Sequence, residues 1–247
     1  NRWNRGRDLS PVILRASSDY ILERDALQVG KGSKDCLVGD KSPNSLFDGE
    51  AVRLMIKVYP DARLIFIVRD GRDAIVSHRF QTFIDRPHHL SPEGLKIRQN
   101  FIDDPDPFLN GQRSIFTERE LQKAASGWSH NVTDTVQNAQ SLLGEQSLFT
   151  LRYEDMLTQS WETMKKLWSF LGTDPNIRGL RESLHNEMQV NPDAKWQQQK
   201  AAVIAGSIQK GKRGTWRELF TDRDRNIFKQ AAGKTLIAWS YETDFEW

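Results

Sequence analysis

The sequence predicts an α/β protein in which parallel strands are flanked by helices. Three observations predict it. Arg63-Leu64-Ile65-Phe66-Ile67-Val68 is a continuous apolar, β-branched run of the kind buried in a parallel sheet. It leads into a tight polar turn, Arg69-Asp70-Gly71-Arg72-Asp73, and then into Ala74-Ile75-Val76-Ser77-His78-Arg79-Phe80, which opens a helix; strand, turn and helix are the repeating unit of α/β folds. A later strand, Ser147-Leu148-Phe149-Thr150-Leu151, is followed by an amphipathic helix over Trp161–Leu171 that Gly172 closes.

The remaining elements follow in order. Residues 1–11 are polar and Arg-rich and end in Ser10-Pro11. Val12, Ile13, Ala16, Tyr20, Ile21, Ala26 and Leu27 predict a helix over Val12–Gln28, which Gly30-Lys31-Gly32-Ser33 breaks. Cys36-Leu37-Val38-Gly39 reads as a short buried strand, followed by Asp40-Lys41-Ser42-Pro43, and a helix spans about Leu46–Val58 before Tyr59-Pro60 stops it. Pro87, Pro92, Pro105, Pro107 and Asn110-Gly111 make residues 82–115 read as irregular, a connection long enough to be functional or mobile. Thr117-Glu118-Arg119-Glu120 is a capping box that starts a helix towards Leu143. Residues 173–215 are polar and helical only in places, the last helix covers about Asp222–Ser240, and the chain ends in an aromatic tail, Tyr241 to Trp247. No shift in composition marks a boundary, so residues 1–247 read as a single domain.

Composition narrows the function. The 247 residues are 38% apolar and 28% charged, with 8 Trp, 12 Phe and 4 Tyr, which is ample surface for a core. The longest apolar run is a handful of residues near Leu64–Val68, where a membrane span needs about 20. With 35 Lys+Arg against 33 Asp+Glu, the net charge of +2 excludes a generally basic, nucleic-acid-coating protein but leaves room for a local polyanion pocket. Cys36 is the only cysteine, so no intramolecular disulfide and no cysteine zinc site can form. That favours a cytoplasmic protein, with a Golgi lumen left open. His88-His89 lacks a surrounding ligand pattern and reads as loop, and the Asn131-Val132-Thr133 sequon falls inside a predicted helix.

The chemistry concentrates between Arg69 and Ser77. The carboxyl ends of parallel strands are where α/β folds bind ligands, and Arg69 stands at such an end, with Ser77 eight positions later in the following helix. A guanidinium and a hydroxyl placed there can share a phosphate with the positive helix N-terminus. The bland alternative is a surface turn in which Arg69, Asp70, Arg72 and Asp73 pair with one another.

Four segments in order then carry a family likeness. Gly39-Asp40-Lys41-Ser42-Pro43, Val68-Arg69-Asp70-Gly71-Arg72-Asp73-Ala74-Ile75-Val76-Ser77, Arg152-Tyr153-Glu154-Asp155-Met156 and Lys210-Gly211-Lys212-Arg213-Gly214-Thr215-Trp216-Arg217 resemble motifs of the sulfotransferases that use 3′-phosphoadenosine 5′-phosphosulfate (PAPS), in their bacterial, tyrosylprotein and heparan-type branch. Trp239-Ser240-Tyr241-Glu242 has the look of that family's C-terminus. The resemblance implies a P-loop-type three-layer fold with a central parallel sheet flanked by helices. It implies Arg69, Ser77, Lys210 and the Gly211 amide on the 3′-phosphate, Tyr153 on adenine, and Lys41 as the catalytic cation. PAPS would be the sulfuryl donor, with no metal and no nucleic acid partner; acceptor and oligomeric state are not legible. Gln209 stands where many cytosolic members have Arg, Thr215 replaces the Asp of Gly-Asp-Trp, and Pro43 occupies the position of the cytosolic members' catalytic His. Lys212 or Arg213 could replace the cation missing at 209, the Trp is what must pack, and the general base must come from elsewhere.

One motif of the resemblance is missing: the Gly/Ser/Thr-rich loop that cradles the 5′-phosphosulfate. Gly30-Lys31-Gly32-Ser33-Lys34 is not read as that loop, because no apolar strand precedes it and it lies too near Lys41. The expectation is that roughly 20–40 residues precede Asn1, carrying the first strand, that loop and the base. The 247 residues alone are then expected to be poorly stable and inactive. Two functions stay open: sulfuryl transfer from PAPS to an acceptor hydroxyl or amine, or a non-catalytic family member binding adenosine 3′,5′-bisphosphate as an interaction module. A nucleotide kinase of related fold would need a Walker-type loop and Mg²⁺ carboxylates, which the sequence lacks.

Overall fold

The run Leu64–Val68 forms strand β1 and Leu148–Arg152 forms strand β2, and the two pair as a small parallel sheet. The computed structural model describes residues 10–28, 37, 39, 50–189, 204 and 213–247. The helices among them are α1 (Pro11–Gln28), α2 (Glu50–Val58), α3 (Gly71–Asp85), α4 (Pro92–Asp103), α5 (Asp106–Leu109), α6 (Glu118–Leu143), α7 (Tyr153–Thr158), α8 (Ser160–Leu171), α9 (Leu180–Gln189), α10 (Trp216–Leu219) and α11 (Asp222–Ala238). The described residues are therefore mostly helical, with a small two-strand parallel sheet. No described helix is long and apolar enough to cross a membrane.

The chain divides into two compact units, Asn1–Phe66 with His130–Phe149, and Ile67–Ser129 with Thr150–Trp247. The first has a small core of Val52, Leu64 and Ala139, with Met55, Ile56, Leu143 and Leu148 packed on it. Helix α1 joins this unit through polar contacts: Arg15 pairs with Asp61 at 2.7 Å, and the Tyr59 hydroxyl donates to Asp19 at 2.6 Å. Burial and the Asp19 carboxylate push the Tyr59 phenol up to about 12, so it remains a donor. The helix forms where expected, but the apolar stripe that predicts it faces outward, with Val12 77% and Tyr20 61% exposed.

The second unit holds the larger core. Phe80 and Phe101 meet edge-on at 5.4 Å, with Phe83 and Phe108 beside them, and Phe228, Trp216 and Leu236 continue the cluster. Thr117 and Glu120 cap α6 reciprocally, as the sequence predicts, and Thr221 and Asp224 do the same for α11.

Three expectations are corrected. Residues 82–115 are not irregular: they contain α4 and α5 and a 3-10 turn at Pro87–His89. The prolines start helices here, since Ser91 caps α4 by accepting from the Gly94 amide at 3.0 Å and Pro92 takes the first position, where its missing N–H is harmless. The strand at 36–39 falls mostly outside the described residues, and Leu37, which is described, is 61% exposed and in no strand. Finally, β1 is not buried throughout, because Ile67 is 50% exposed.

Candidate functional site

The site lies in the second unit and is built on the turn between β1 and α3. Asp70 caps α3, its carboxylate accepting from the Arg72 amide at 2.9 Å. The same carboxylate receives the Arg72 guanidinium in a fork, at 2.9 Å from Nε and 2.7 Å from Nη2. Arg72 Nη1 donates to Glu242, and the fully buried guanidinium lies 3.9 Å from the Trp216 ring and 4.5 Å from that of Trp247. A cation held this way is paired, stacked and unavailable to a ligand.

The other carboxylates at the turn are also engaged. Asp73, buried in the first turn of α3, accepts from the Gly214 amide at 2.6 Å and the Trp216 amide at 3.1 Å. Burial pushes its carboxyl up, against the pull of those two amides. Glu154 accepts from the Asp70 amide at 3.0 Å and from the Tyr241 hydroxyl at 2.9 Å, while that hydroxyl also reaches the Val68 carbonyl at 3.1 Å. Burial and then Glu154 drive the Tyr241 phenol far up, so it stays protonated and donates. Asp155 forks with Arg152 at 2.8 and 3.1 Å. Between these groups lies a cavity of about 340 Å³ whose lining includes Asp73, Glu154, Arg213, Gly214, Arg217 and Tyr241.

Arg69 is the exception in the turn. Its guanidinium sits 5.2 Å from the Tyr153 ring, so the ends of the paired strands β1 and β2 bring these two residues together. Ser77 is half-buried on α3, nearly two turns along it, and no contact among the described residues joins it to Arg69 or Tyr153. Lys41, Lys210 and Gly211 lie outside the described residues, as do Gln209 and Lys212. The mutual-pairing reading of the turn therefore holds for Asp70 and Arg72 alone, and that pair is buried rather than on the surface. Trp216, following Thr215, is 1% exposed, so the tryptophan of this segment does pack.

Gly71 is required for a steric reason. A Cβ there would lie 2.4 Å from the Trp128 ring. Gly71→Ala is expected to destabilise the protein by about 1–3 kcal/mol through overpacking. A thermal melt checks this, and an unchanged midpoint would contradict the close approach.

Sequence reasoning missed the roles of Asp73, Glu154 and Tyr241. The weak signal available was the three-residue spacing of Asp70 and Asp73, which puts both acids at a helix start. Their partners at 214–216 and 241–242 are far away in sequence, and no local pattern names them.

The model of the family described as "Sulfotransferase family" matches residues 10–177, more than half of the chain. Lys41, Arg69, Ser77 and Tyr153 fall inside that span; the 213–217 segment, Tyr241 and Glu242 fall beyond it. No curated protein and no solved structure matches at a significant level.

Proposed function

Since the chain belongs to the sulfotransferase family, we propose that it moves a sulfuryl group from PAPS to an acceptor hydroxyl or amine. The observation that carries this reading is the placement of Arg69 over Tyr153. Those are the two residues the motifs assign to the two ends of one adenosine bisphosphate, and they come from the ends of adjacent strands. The donor set fits such a nucleotide. Its 3′-phosphate would be held by Arg69 and Ser77, with Lys210 and the Gly211 amide; its adenine would face Tyr153. PAPS supplies the sulfuryl group, and Lys41 supplies the cation for the negative charge that develops on transfer. Of the described acids of the turn, Asp70 is paired with Arg72, and both oxygens of Asp73 are taken up by the Gly214 and Trp216 amides.

No observation among the described residues favours the non-catalytic alternative. The test is calorimetric titration of the folded chain with adenosine 3′,5′-bisphosphate, followed by incubation with PAPS and a panel of carbohydrate, peptide-tyrosine and small hydroxyl or amine acceptors. Micromolar binding of adenosine 3′,5′-bisphosphate is expected; its acceptor-dependent release from PAPS is the readout of transfer in a chain that carries the phosphosulfate loop. A folded protein that binds none would overturn the reading.

A further inference from the structure

We infer that Asp73 is a positioning residue for anion binding: it holds the Arg213–Arg217 segment against the end of β1, so that this segment and Arg69 act on one phosphate-bearing ligand. The inference rests on the nucleotide reading above.

The contact is specific. Asp73 accepts two amides of one segment, Gly214 at 2.6 Å and Trp216 at 3.1 Å, across more than 140 residues of chain. Backbone amides donating to a buried carboxylate make strong, charge-assisted hydrogen bonds. The segment is shaped for the contact. Gly214 adopts φ +77°, the left-handed region, and a Cβ there would lie 2.8 Å from Arg217 Nη1. Trp216 is buried against Arg72, so both residues flanking Thr215 are fixed to the first turn of α3.

The charges follow from this arrangement. The segment brings Arg213 and Arg217 to the cavity that Asp70, Asp73 and Glu154 also line. Arg213 and Arg217 are exposed, and neither forms an ion pair with a carboxylate among the described residues. The acids beside them are occupied by Arg72, by amides and by Tyr241. Arg69 opens the same turn, four residues before Asp73 and directly after β1. Among the described residues, the guanidinium groups here without a carboxylate partner thus come from the strand end on one side and the 213–217 segment on the other. Asp73 is the link between them.

The test compares adenosine 3′,5′-bisphosphate with adenosine 5′-monophosphate, which lacks the 3′-phosphate, by calorimetry on wild type and Asp73→Asn. Asparagine cannot replace the carboxylate for two amides. The preference of wild type for the bisphosphate is expected to shrink about tenfold in the variant, the size of one lost charged contact. A merely structural defect would weaken both ligands alike. Gly214→Ala enters from the other side of the same contact. It should shrink the preference similarly, and the double variant should lose no more than either single one; Gly214→Ala also decides the matter if Asp73→Asn does not fold. Full preference retained in the folded variants would overturn the inference and leave the proposed function standing. No binding of either nucleotide by wild type would overturn both.

Discussion

Arg69→Ala is expected to weaken binding of adenosine 3′,5′-bisphosphate at least about 100-fold while the protein stays folded. The size follows from losing a guanidinium that can make two charge-assisted hydrogen bonds to a phosphate, each worth about 1.5–3 kcal/mol. The selectivity follows from the neighbours. Arg72, three residues away, is fully buried and holds Asp70 and Glu242. Arg69 is half-buried and its described contact is the Tyr153 ring at 5.2 Å, a cation–π contact worth about 0.5–1 kcal/mol where partly exposed. The melting midpoint should therefore move little. Calorimetry and a thermal melt on the same preparation check the two halves. A variant that binds as tightly as wild type would sink the assignment of Arg69 to the phosphate, and a variant that unfolds would show Arg69 to belong to the buried lattice instead. Ser77→Ala should cost less, about tenfold, because a neutral hydroxyl gives one weaker bond.

How much of this was legible in the sequence depends on range. Features set by neighbouring residues were readable: the Leu64–Val68 strand, the Thr117–Glu120 cap of α6, and the Gly172 stop of α8, where the backbone turns left-handed at φ 76°. Proline misled in 82–115 because its effect depends on position. At the first turn of α4, Pro92 begins a helix that the same residue would break three positions later. Helix α1 misled differently: apolar periodicity gave the helix correctly but not the side that packs, which is set by Asp61 and Tyr59 from farther along the chain. In the site, Arg69 and Tyr153 could be named because each closes a strand. Of the Arg72 cage only the Asp70 pair could, since Glu242 and the two rings come from residues 216–247, more than 140 positions away.

That cage sets the largest expected loss of stability. Asp70→Ala removes the cap of α3 and both carboxylate bonds to a guanidinium with no solvent exposure. The buried guanidinium is left with Glu242 alone, having lost two charge-assisted hydrogen bonds, and the expected destabilisation is about 3–5 kcal/mol. Glu242→Gln removes less. Its side chain is 15% exposed, Arg72 keeps the Asp70 fork, and the amide oxygen can still accept, so about 1–2 kcal/mol is expected. Denaturant unfolding of both variants gives the order. Equal losses, or a loss under about 1 kcal/mol in Asp70→Ala, would mean that Arg72 is held by stacking between Trp216 and Trp247 rather than by its ion pairs. The order also bears on function. Asp70 fixes the turn that begins with Arg69, and its amide is tied to Glu154. Asp70→Ala should therefore lower stability and nucleotide affinity together, where Arg69→Ala lowers affinity alone. Two adjacent residues of one turn would then separate the ligand contact from the framework that aims it.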